Sequence, residues 1–530
     1  MIQIRNLRLS PAEDESRLTE HAAAKLSVKP GRVASLRILK KSLDARKKDD
    51  IRYVYSVAVS VPGLERQILK RRHKDISEYK KKEYAIPAWP IGAPRPVIAG
   101  FGPAGMFAAL VLARSGARPL VLERGPCVEE RQKAVEAFRS GGPLDEKANV
   151  QFGEGGAGTF SDGKLNTGIS DGRLFWVLEQ FRDHGAPASV TYDAKPHVGT
   201  DILIRVVRSF REEILSLGGE IRFDTRLTGL ITEAGSLRGV RAVGPEGPCE
   251  LPCEDLILAV GHSARDTFEM LLESGVAMER KPFSMGVRIE HLQSEIDLSQ
   301  YGEADWELPP ADYSLNVHLP DGTSAYTFCM CPGGEVIAAA SECGGVVTNG
   351  MSNSARNGAN ANSALLVTLH TEDFPGEGVL AGMRWQREIE QRAFACGGGN
   401  YHAPAQLLGD FLENRPSTGA GKVTPSYRPG VTWGELRRVL PERITSVLAN
   451  AIPELGKKLR GFDAPDAVLT APETRSSSPV RILRGEDLSS ELQGLYPCGE
   501  GAGYAGGISS AAVDGMRCAE AILKKYIHTI

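Results

Sequence analysis

A short glycine-rich segment, Gly100–Gly105, has the residue types and spacing of a dinucleotide-binding site. The apolar residues before it predict a strand, and the apolar run after it predicts a helix. Its first glycine allows a tight turn, its second lets the backbone approach a pyrophosphate, and its third lets the helix pack against the sheet. The helix N-terminus would offer N–H groups to the phosphates. The residues predicted to contact the cofactor here are Gly100, Gly102, Pro103, Ala104 and Gly105.

A carboxylate follows at the end of the next apolar strand. Glu123 comes eighteen residues after Gly105, at a spacing that suits an acceptor for both hydroxyls of an adenosine ribose. A second negative charge would repel it, so Glu123 argues against a 2′-phosphate at this site. Arg124, beside it, is also predicted to contact the cofactor.

Two further glycine-rich segments decide between a nicotinamide and a flavin dinucleotide. Residues 149–167 are too rich in glycine for a regular helix or strand, and residues 495–522 end a strand, form a glycine loop and begin a helix. A separate nicotinamide ligand needs no such distant second contact, whereas an extended FAD does. The additional predicted contacts are Gly158, Thr159, Asp162, Gly163, Lys164, Gly261, Gly499, Glu500, Gly506, Gly507 and Ile508.

Three cationic residues are the candidates for catalysis. Lys164 could lie at the polar edge of the flavin, where a cation stabilises the reduced anionic form; the alternative is a solvated lysine in a loop. Arg475 and Arg481 flank three serines and a proline and could bind a carboxylate or phosphate of a substrate. A structural salt bridge explains the two arginines equally well.

The cysteines and histidines give weaker signals. Cys329 and Cys331 are expected on opposite faces of one strand, as inert buried thiols, and the alternative is a redox-active pair facing the flavin. His262 is expected to be a polar turn residue rather than a proton-transfer group. The segment from Asn349 to Asn362 either lines a substrate face or satisfies loop backbone. The spacing of the histidines and carboxylates predicts no metal site.

Composition divides the chain of 530 residues, which carries a net charge of −3. Residues 1–90 hold 21 Lys and Arg against 11 Asp and Glu, so this region is strongly basic and the remainder is acidic. The positive charge could bind an RNA backbone or dock on the acidic remainder. Within this region Ser10 and Pro11 predict the start of a helix that ends at Leu26.

The predicted fold class is α/β, with a Rossmann-like domain for the cofactor, an inserted α+β substrate domain and a small N-terminal α+β domain. We place the N-terminal domain at 1–88, the first part of the cofactor domain at 89–275, the substrate or cap domain at 276–470, and the C-terminal part of the cofactor domain at 471–530. The N-terminus has no apolar segment typical of a secretory signal, so a cytoplasmic protein with reduced thiols and no membrane span is expected.

Six segments together resemble a bacterial family of FAD-dependent dehydrogenases of undefined substrate, also called NAD(FAD)-utilising dehydrogenases. They are VIAGFGPAGMFAALVLARSGARPLVLERG, AVGHSARD, CPGGEVIAAASECGGVVTNGMS, NANSALLV, ETRSSSPVRI and CGEGAGYAGGISSAAVDG. More distantly, the chain is similar to the glutathione-reductase-like flavoproteins. The resemblance implies bound FAD, a glutathione-reductase-type cofactor domain, and an acidic residue near the flavin's ribityl or phosphate region, where this chain has Glu500.

These observations predict a flavoprotein oxidoreductase that passes hydride between flavin and an unidentified, anionic small molecule. Because no second GxGxxG segment is present, NAD(P)H would bind only transiently over the flavin, or another reductant serves. The alternative is an RNA-modifying flavoprotein that binds RNA through its basic N-terminal domain.

Overall fold

The computed structural model describes residues 1–303 and 307–527. The strands are β1 Ile2–Leu9, β2 Ser35–Asp44, β3 Arg52–Ser60, β4 Ile76–Glu78, β5 Val97–Ala99, β6 Leu120–Leu122, β7 Glu220–Arg222, β8 Arg226–Glu233, β9 Ser236–Gly244, β10 Gly247–Pro252, β11 Leu256–Leu258, β12 Met278–Arg280, β13 Phe283–Leu292, β14 Asn316–His318, β15 Ser324–Ala338, β16 Thr348–Met351, β17 Asn360–Leu369, β18 Ala403–Leu407, β19 Val431–Trp433, β20 Val468–Glu473, β21 Val480–Ile482 and β22 Leu495–Pro497. The α-helices are α1 Leu18–Leu26, α2 Glu65–Lys70, α3 Pro103–Ser115, α4 Val128–Arg139, α5 Leu174–Asp183, α6 Thr200–Ser216, α7 Arg265–Glu273, α8 Gln293–Tyr301, α9 Ala381–Cys396, α10 Leu408–Leu412, α11 Glu442–Gly456 and α12 Ile508–Ile527.

A parallel sheet carries the first glycine motif. Its strand order is β22-β11-β5-β6-β7, and each neighbouring pair is parallel. Strands β5, β6, β11 and β22 are short and fully buried, as expected for a sheet covered on both faces. Helix α3, which connects β5 to β6, is apolar nearly all round and packs against α12. The predicted strand–turn–helix–strand unit is therefore confirmed.

Two further sheets are antiparallel except for the parallel pair β18–β19. Strands β8, β9 and β10 form a three-stranded meander. An eight-stranded sheet has the order β14-β15-β17-β13-β20-β18-β19, with β16 paired to β15. The central strand β13 is buried over almost its whole length, and helices α9 and α11 contribute to the apolar core that covers the sheet.

A buried ion-pair network connects the parallel-sheet region to the eight-stranded sheet. Glu390 on α9 accepts hydrogen bonds from Arg265 at the start of α7 and from Arg475 just after β20, at 2.8–3.0 Å. All three side chains are almost completely buried. Removing one partner of such a network leaves a buried charge uncompensated, so these residues fix the two regions relative to each other.

The N-terminal sheet has the order β2-β3-β1-β4 and packs on its own apolar core. It contacts the rest of the chain through Arg37, which pairs with Glu179 at 3.5 Å, and Lys48, which donates to the Ser299 carbonyl at 2.7 Å. The main chain of Lys41 also bonds to Tyr192 and Ala194. Part of the basic region thus docks on the acidic remainder of the chain.

The first predicted helix is wrong in its N-terminal half. The backbone N–H of Ser10 does donate to the Glu13 carboxylate at 2.8 Å, which is half of a capping box. A turn and a short 3-10 helix at Glu15–Arg17, capped by Asp14, follow. The α-helix therefore begins at Leu18 and not at Pro11.

Among the described residues, no helix combines the length and apolar character that a membrane crossing requires.

We expect Gly105→Ala and Gly515→Ala to lower the stability of the protein. An added Cβ would overlap the Gly100 carbonyl in the first case and the Ala104 carbonyl, across the α3–α12 contact, in the second. Overpacking against backbone costs about 1–3 kcal/mol, which outweighs the roughly 1 kcal/mol gained in helix propensity. Thermal unfolding should show a lower Tm for each variant.

Gly168→Ala is the matched control, because its Cβ would meet nothing within 4 Å. An unchanged Tm for Gly105→Ala, with Gly168→Ala behaving as the wild type, would contradict the close packing of α3.

Candidate functional site

A cavity of about 430 Å³ brings the three predicted glycine-rich segments together beside the eight-stranded sheet. This volume falls within the range of small-molecule and cofactor sites. Most of the residues predicted from the sequence line it. They are Gly100, Gly102, Pro103, Ala104, Glu123, Arg124, Gly158, Lys164, Gly261, Arg475, Gly499, Glu500, Gly506, Gly507 and Ile508.

The Glu123 carboxylate ties three segments of the cavity wall together. Its Oε2 accepts the backbone N–H of Phe101 at 2.8 Å, and its Oε1 accepts those of Gly125 and Gly153 at 3.0 and 3.1 Å. A carboxylate offers about four lone-pair sites. The three backbone bonds occupy about three of them, so about one site remains for a ribose hydroxyl.

A fully buried arginine holds the second glycine-rich segment from behind. Arg131 on α4 donates to the carbonyls of Asn149, Val150 and Glu154 at 2.9, 2.9 and 2.6 Å, and to that of Gly153 at 3.3 Å. Burial lowers the pKa of Arg131 to about 10, and the nearby carboxylates of Glu123 and Glu154 oppose this shift. The loop at 149–154 is thus held by one cation, a role that no sequence pattern indicated.

Two helix N-termini face the cavity. Helix α3 has Gly102 as its N-cap, with no side chain capping its first N–H groups, and Pro103 at its first position. Helix α12 begins at Ile508, directly after Gly506 and Gly507, where an added Cβ would meet no protein atom within 4 Å. Backbone that is open to the cavity at both places suits the phosphates and the polar edge of a dinucleotide.

Glu500 lies in the cavity wall without a partner. Within the described part of the chain its carboxylate accepts no hydrogen bond, and Lys281 is the nearby cation. Burial raises the pKa of Glu500 to about 7, and Lys281 opposes the shift. A carboxyl group left free in this position fits a ligand that carries hydroxyl groups, as the ribityl chain of FAD does.

The wall formed by the eight-stranded sheet contains residues that the sequence interpretation missed. Glu473 at the end of β20 lines the cavity and receives two hydrogen bonds from the buried Arg288 of β13, at 2.6 and 3.2 Å. Arg288 also donates to Asn349 at 2.9 Å. Burial raises the pKa of Glu473 to about 7. The sequence does contain a signal for this pair. Arg288 and Glu473 are charged residues within two largely apolar strands, and this pattern predicts a buried ion pair.

Four predicted cofactor contacts and one predicted catalytic residue do not line the cavity. Gly105 packs α3 against the Gly100 turn, and Gly163 packs against Leu203 and Gly199. Thr159 is buried and Asp162 pairs with Arg356 and Ser352. Arg481 pairs with Glu279 at 3.3 Å on the surface, so its predicted catalytic role has no support from its position.

The remaining candidate residues differ in how closely other side chains of the protein bind them. Lys164 lines the cavity, with its Nζ 4.0 Å from Asp162. Arg475 also lines the cavity, but its guanidinium donates to Glu390 and Ser341, which favours the structural alternative. Burial lowers the pKa of His262 to about 4, and its ring bonds to the adjacent Ser263 at 3.1 Å, as a turn residue would.

One cluster of possible metal ligands occurs among the described residues. Cys498, Asp514 and Cys518 bring ligand atoms within 4.8 Å of one another. Arg484 donates to both oxygens of Asp514, at 2.7 and 3.0 Å, and the Gly499 N–H donates at 2.8 Å. The Arg484 guanidinium therefore already supplies a positive charge at the Asp514 carboxylate.

Comparison with known proteins bears on the ligand of the cavity. Residues 282–476, which span β13 to β20, match the family model described as "FAD-dependent protein, C-terminal domain-like", and residues 1–60 match a domain of unknown function. A protein of Clostridium beijerinckii, described as an uncharacterized protein, is 48% identical over 532 residues and 99% of each chain. This chain belongs to the same family. FAD is its cofactor.

Two solved structures are similar to this chain over most of its length. Glycerol-3-phosphate dehydrogenase of Bacillus halodurans, complexed with FAD, is 11% identical over 82% of this chain and 65% of its own, with a TM-score of 0.36. Glycine oxidase of Bacillus cereus is 13% identical over 82% of this chain and 96% of its own, with a TM-score of 0.30. Scores of this size do not establish a substrate.

We expect Glu123→Gln to weaken both folding and FAD retention. A glutamine places an NH₂ group where one of the carboxylate oxygens accepts backbone N–H, so at least one buried donor loses its partner at a cost of about 1–3 kcal/mol. The measurements are Tm and the ratio of flavin to protein absorbance after gel filtration.

Glu130→Gln on the exposed face of α4 is the control, because Glu130 forms a solvent-exposed ion pair with Lys133. Wild-type Tm and FAD content in Glu123→Gln would show that the three-way contact has no importance.

The raised pKa of Glu500 predicts a pH-dependent stability in the chain freed of FAD. A carboxyl with a folded pKa of about 7 and an ordinary value of 4.5 favours the folded state while protonated. That contribution is present below pH 4.5 and is lost as the pH rises through 7. Relative to the wild type, Glu500→Gln should become more stable as the pH rises across this range in urea unfolding.

Glu246→Gln, at an exposed turn between β9 and β10, serves as the control. A constant stability difference between Glu500→Gln and the wild type from pH 4.5 to pH 8 would exclude the buried, protonated state.

Proposed function

We propose that this flavoprotein is an oxidoreductase that transfers hydride between FAD and a small-molecule substrate. One observation carries the proposal: the same cavity is lined by the dinucleotide motif around Gly102 and by protonatable side chains of the eight-stranded sheet, among them Glu473. The bound flavin supplies two-electron redox chemistry. The parallel sheet followed along the chain by the β8–β10 meander supports a cofactor domain of the glutathione-reductase type.

The chain's own groups suit the parts of an extended FAD. The N-terminus of α3, with Gly102 as its cap, would hold the pyrophosphate, and the remaining lone pair of Glu123 would accept one ribose hydroxyl. The open backbone at Gly507 and the unpartnered Glu500 would bind the opposite end. Adenosine therefore lies toward β6 and the redox end toward β15 and β20 in this proposal.

Residues at the redox end can orient a substrate and move a proton. The Lys164 ammonium faces the cavity beside Asp162, whose charge is shared with Arg356. Lys164 can therefore attract an anionic group or stabilise negative charge that develops during reaction. Glu473, held by Arg288, and Glu500 have pKa values raised to about 7, near the value that suits an acid or base at neutral pH.

Arg475 acts in this proposal as a positioning residue. Its guanidinium and that of Arg265 clamp Glu390, and the backbone of Ser476 follows directly in the cavity wall. The clamp keeps the wall at β20 rigid, and the Arg475 guanidinium is bound to Glu390 instead of to a substrate.

Anaerobic reduction tests the proposed activity. The FAD-loaded protein is mixed with NADH, NADPH and a panel of small hydroxy and amino acids, and the loss of flavin absorbance is followed. At least one donor should reduce the flavin, including NAD(P)H if it binds transiently over the ring. A flavin that dithionite reduces, but no donor of these classes reduces, would contradict the proposal.

Lys164→Met should slow reduction by an anionic donor about 10- to 100-fold, because one preorganised charge is lost. Lys195→Met is the matched control, since Lys195 forms an exposed ion pair with Asp312. Equal reduction rates for the two variants, at equal FAD content, would remove Lys164 from the proposed site.

A further inference from the structure

Two cysteines meet at an irregular point of β15 beside the cavity. Phe328 pairs with Ala364 of β17 and Cys331 pairs with Asn362, so β15 contains one extra residue between these pairs. Cys329 has a φ of 45°, in the left-handed region that non-glycine residues rarely adopt. Such bulges change the direction of a side chain and often occur next to active sites.

At the bulge the two thiols lie near enough to share a hydrogen bond, which corrects the expectation that they lie on opposite faces. The Cys331 Sγ is 3.2 Å from the Cys329 carbonyl oxygen and is also within hydrogen-bonding reach of the Cys329 thiol. Cys331 is completely buried, whereas Cys329 is partly exposed and lines the cavity. The pair thus consists of one accessible and one protected sulfur.

The surroundings favour a thiolate on the accessible sulfur. The hydrogen bond from Cys331 and the charges of Lys164 and Arg288 lower the pKa of Cys329, and they outweigh burial and the Asp162 charge, which raise it. Arg288 also donates to the Cys329 carbonyl at 3.0 Å, which holds the bulge in place. A thiolate beside a second thiol is the arrangement from which disulfides form.

We propose that Cys329 and Cys331 form a dithiol–disulfide couple that exchanges two electrons with the bound flavin. In the oxidising direction one S–S bond forms, and the two thiols give up two protons and two electrons. FAD takes up both electrons and both protons and becomes FADH₂, so the step balances without a further reactant. The inference rests on the proposed FAD site, and it adds a second redox centre to it.

The other thiol that lines the cavity is less suited to this role. Cys498 lies beside Cys518 on α12, but both are buried, and the hydrogen bond that the Cys498 thiol donates to Cys518, together with burial, raises the pKa of Cys498. Asp514 next to them adds a negative charge that disfavours a second one. The position and charge of Cys329 therefore single out the β15 pair.

Anaerobic dithionite titration of the FAD-loaded protein counts the electrons. After oxidation and desalting, the wild type should take up about two equivalents of this two-electron reductant per FAD, one for the flavin and one for the disulfide. Cys331→Ser and Cys329→Ser should each take up about one. Cys343→Ser, at an exposed cysteine outside the cavity, should behave as the wild type.

Alkylation gives a readout that does not depend on flavin or activity. Denaturation in iodoacetamide followed by mass spectrometry should find neither Cys329 nor Cys331 modified in the oxidised wild type, and both modified after dithionite. If the serine variants lose FAD, this comparison in the wild type still decides the question.

One equivalent of dithionite in the wild type, with both thiols alkylated in the oxidised protein, would overturn the couple. If a small-molecule donor also reduces the flavin in that protein, the proposed oxidoreductase function stands without the dithiol. A chain that cannot be loaded with FAD would contradict both proposals.

Discussion

The geometry of the cavity depends on one buried carboxylate. Glu123 accepts backbone N–H groups from Phe101, Gly125 and Gly153, which belong to the motif turn, the end of β6 and the second glycine-rich segment. Hydrogen bonds to a charged acceptor are stronger than neutral ones, and a buried donor without its partner is costly. The glycine segments have few side chains to pack, so this carboxylate and the Arg131 guanidinium determine their positions.

A second polar network determines how the parallel-sheet region meets the eight-stranded sheet. Arg265, Glu390 and Arg475 come from α7, α9 and the segment after β20. Glu390 binds both guanidinium groups, and Glu342 supplies a second carboxylate to Arg265 at 2.6 Å. The cavity lies along this junction, with its glycine turns on one side and β15 and β20 on the other. Redox chemistry at the junction can therefore use a rigid cofactor site and side chains from a different sheet.

The local features of the site could be predicted from the sequence, because their determinants are adjacent in the chain. The turn at Gly102 and the helix start at Ile508 follow from strand, glycine and helix patterns within short segments. Long-range pairing could not be predicted. Arg481 pairs with Glu279, and Glu473 pairs with Arg288. In both cases the partner lies on a neighbouring strand, and no local sequence pattern specifies which strands are neighbours. The contact between Cys329 and Cys331 depends on a bulge in β15, where this strand has one more residue than the paired segment of β17.

A crystal structure of the FAD-loaded protein is the most direct test of the account. It should show one FAD per chain within this cavity, with the pyrophosphate at the N-terminus of α3, the adenosine beside Glu123 and the flavin beside Cys329 and Glu473. FAD in the opposite orientation, or bound outside the cavity, would contradict the assignment of the glycine segments and of the redox end.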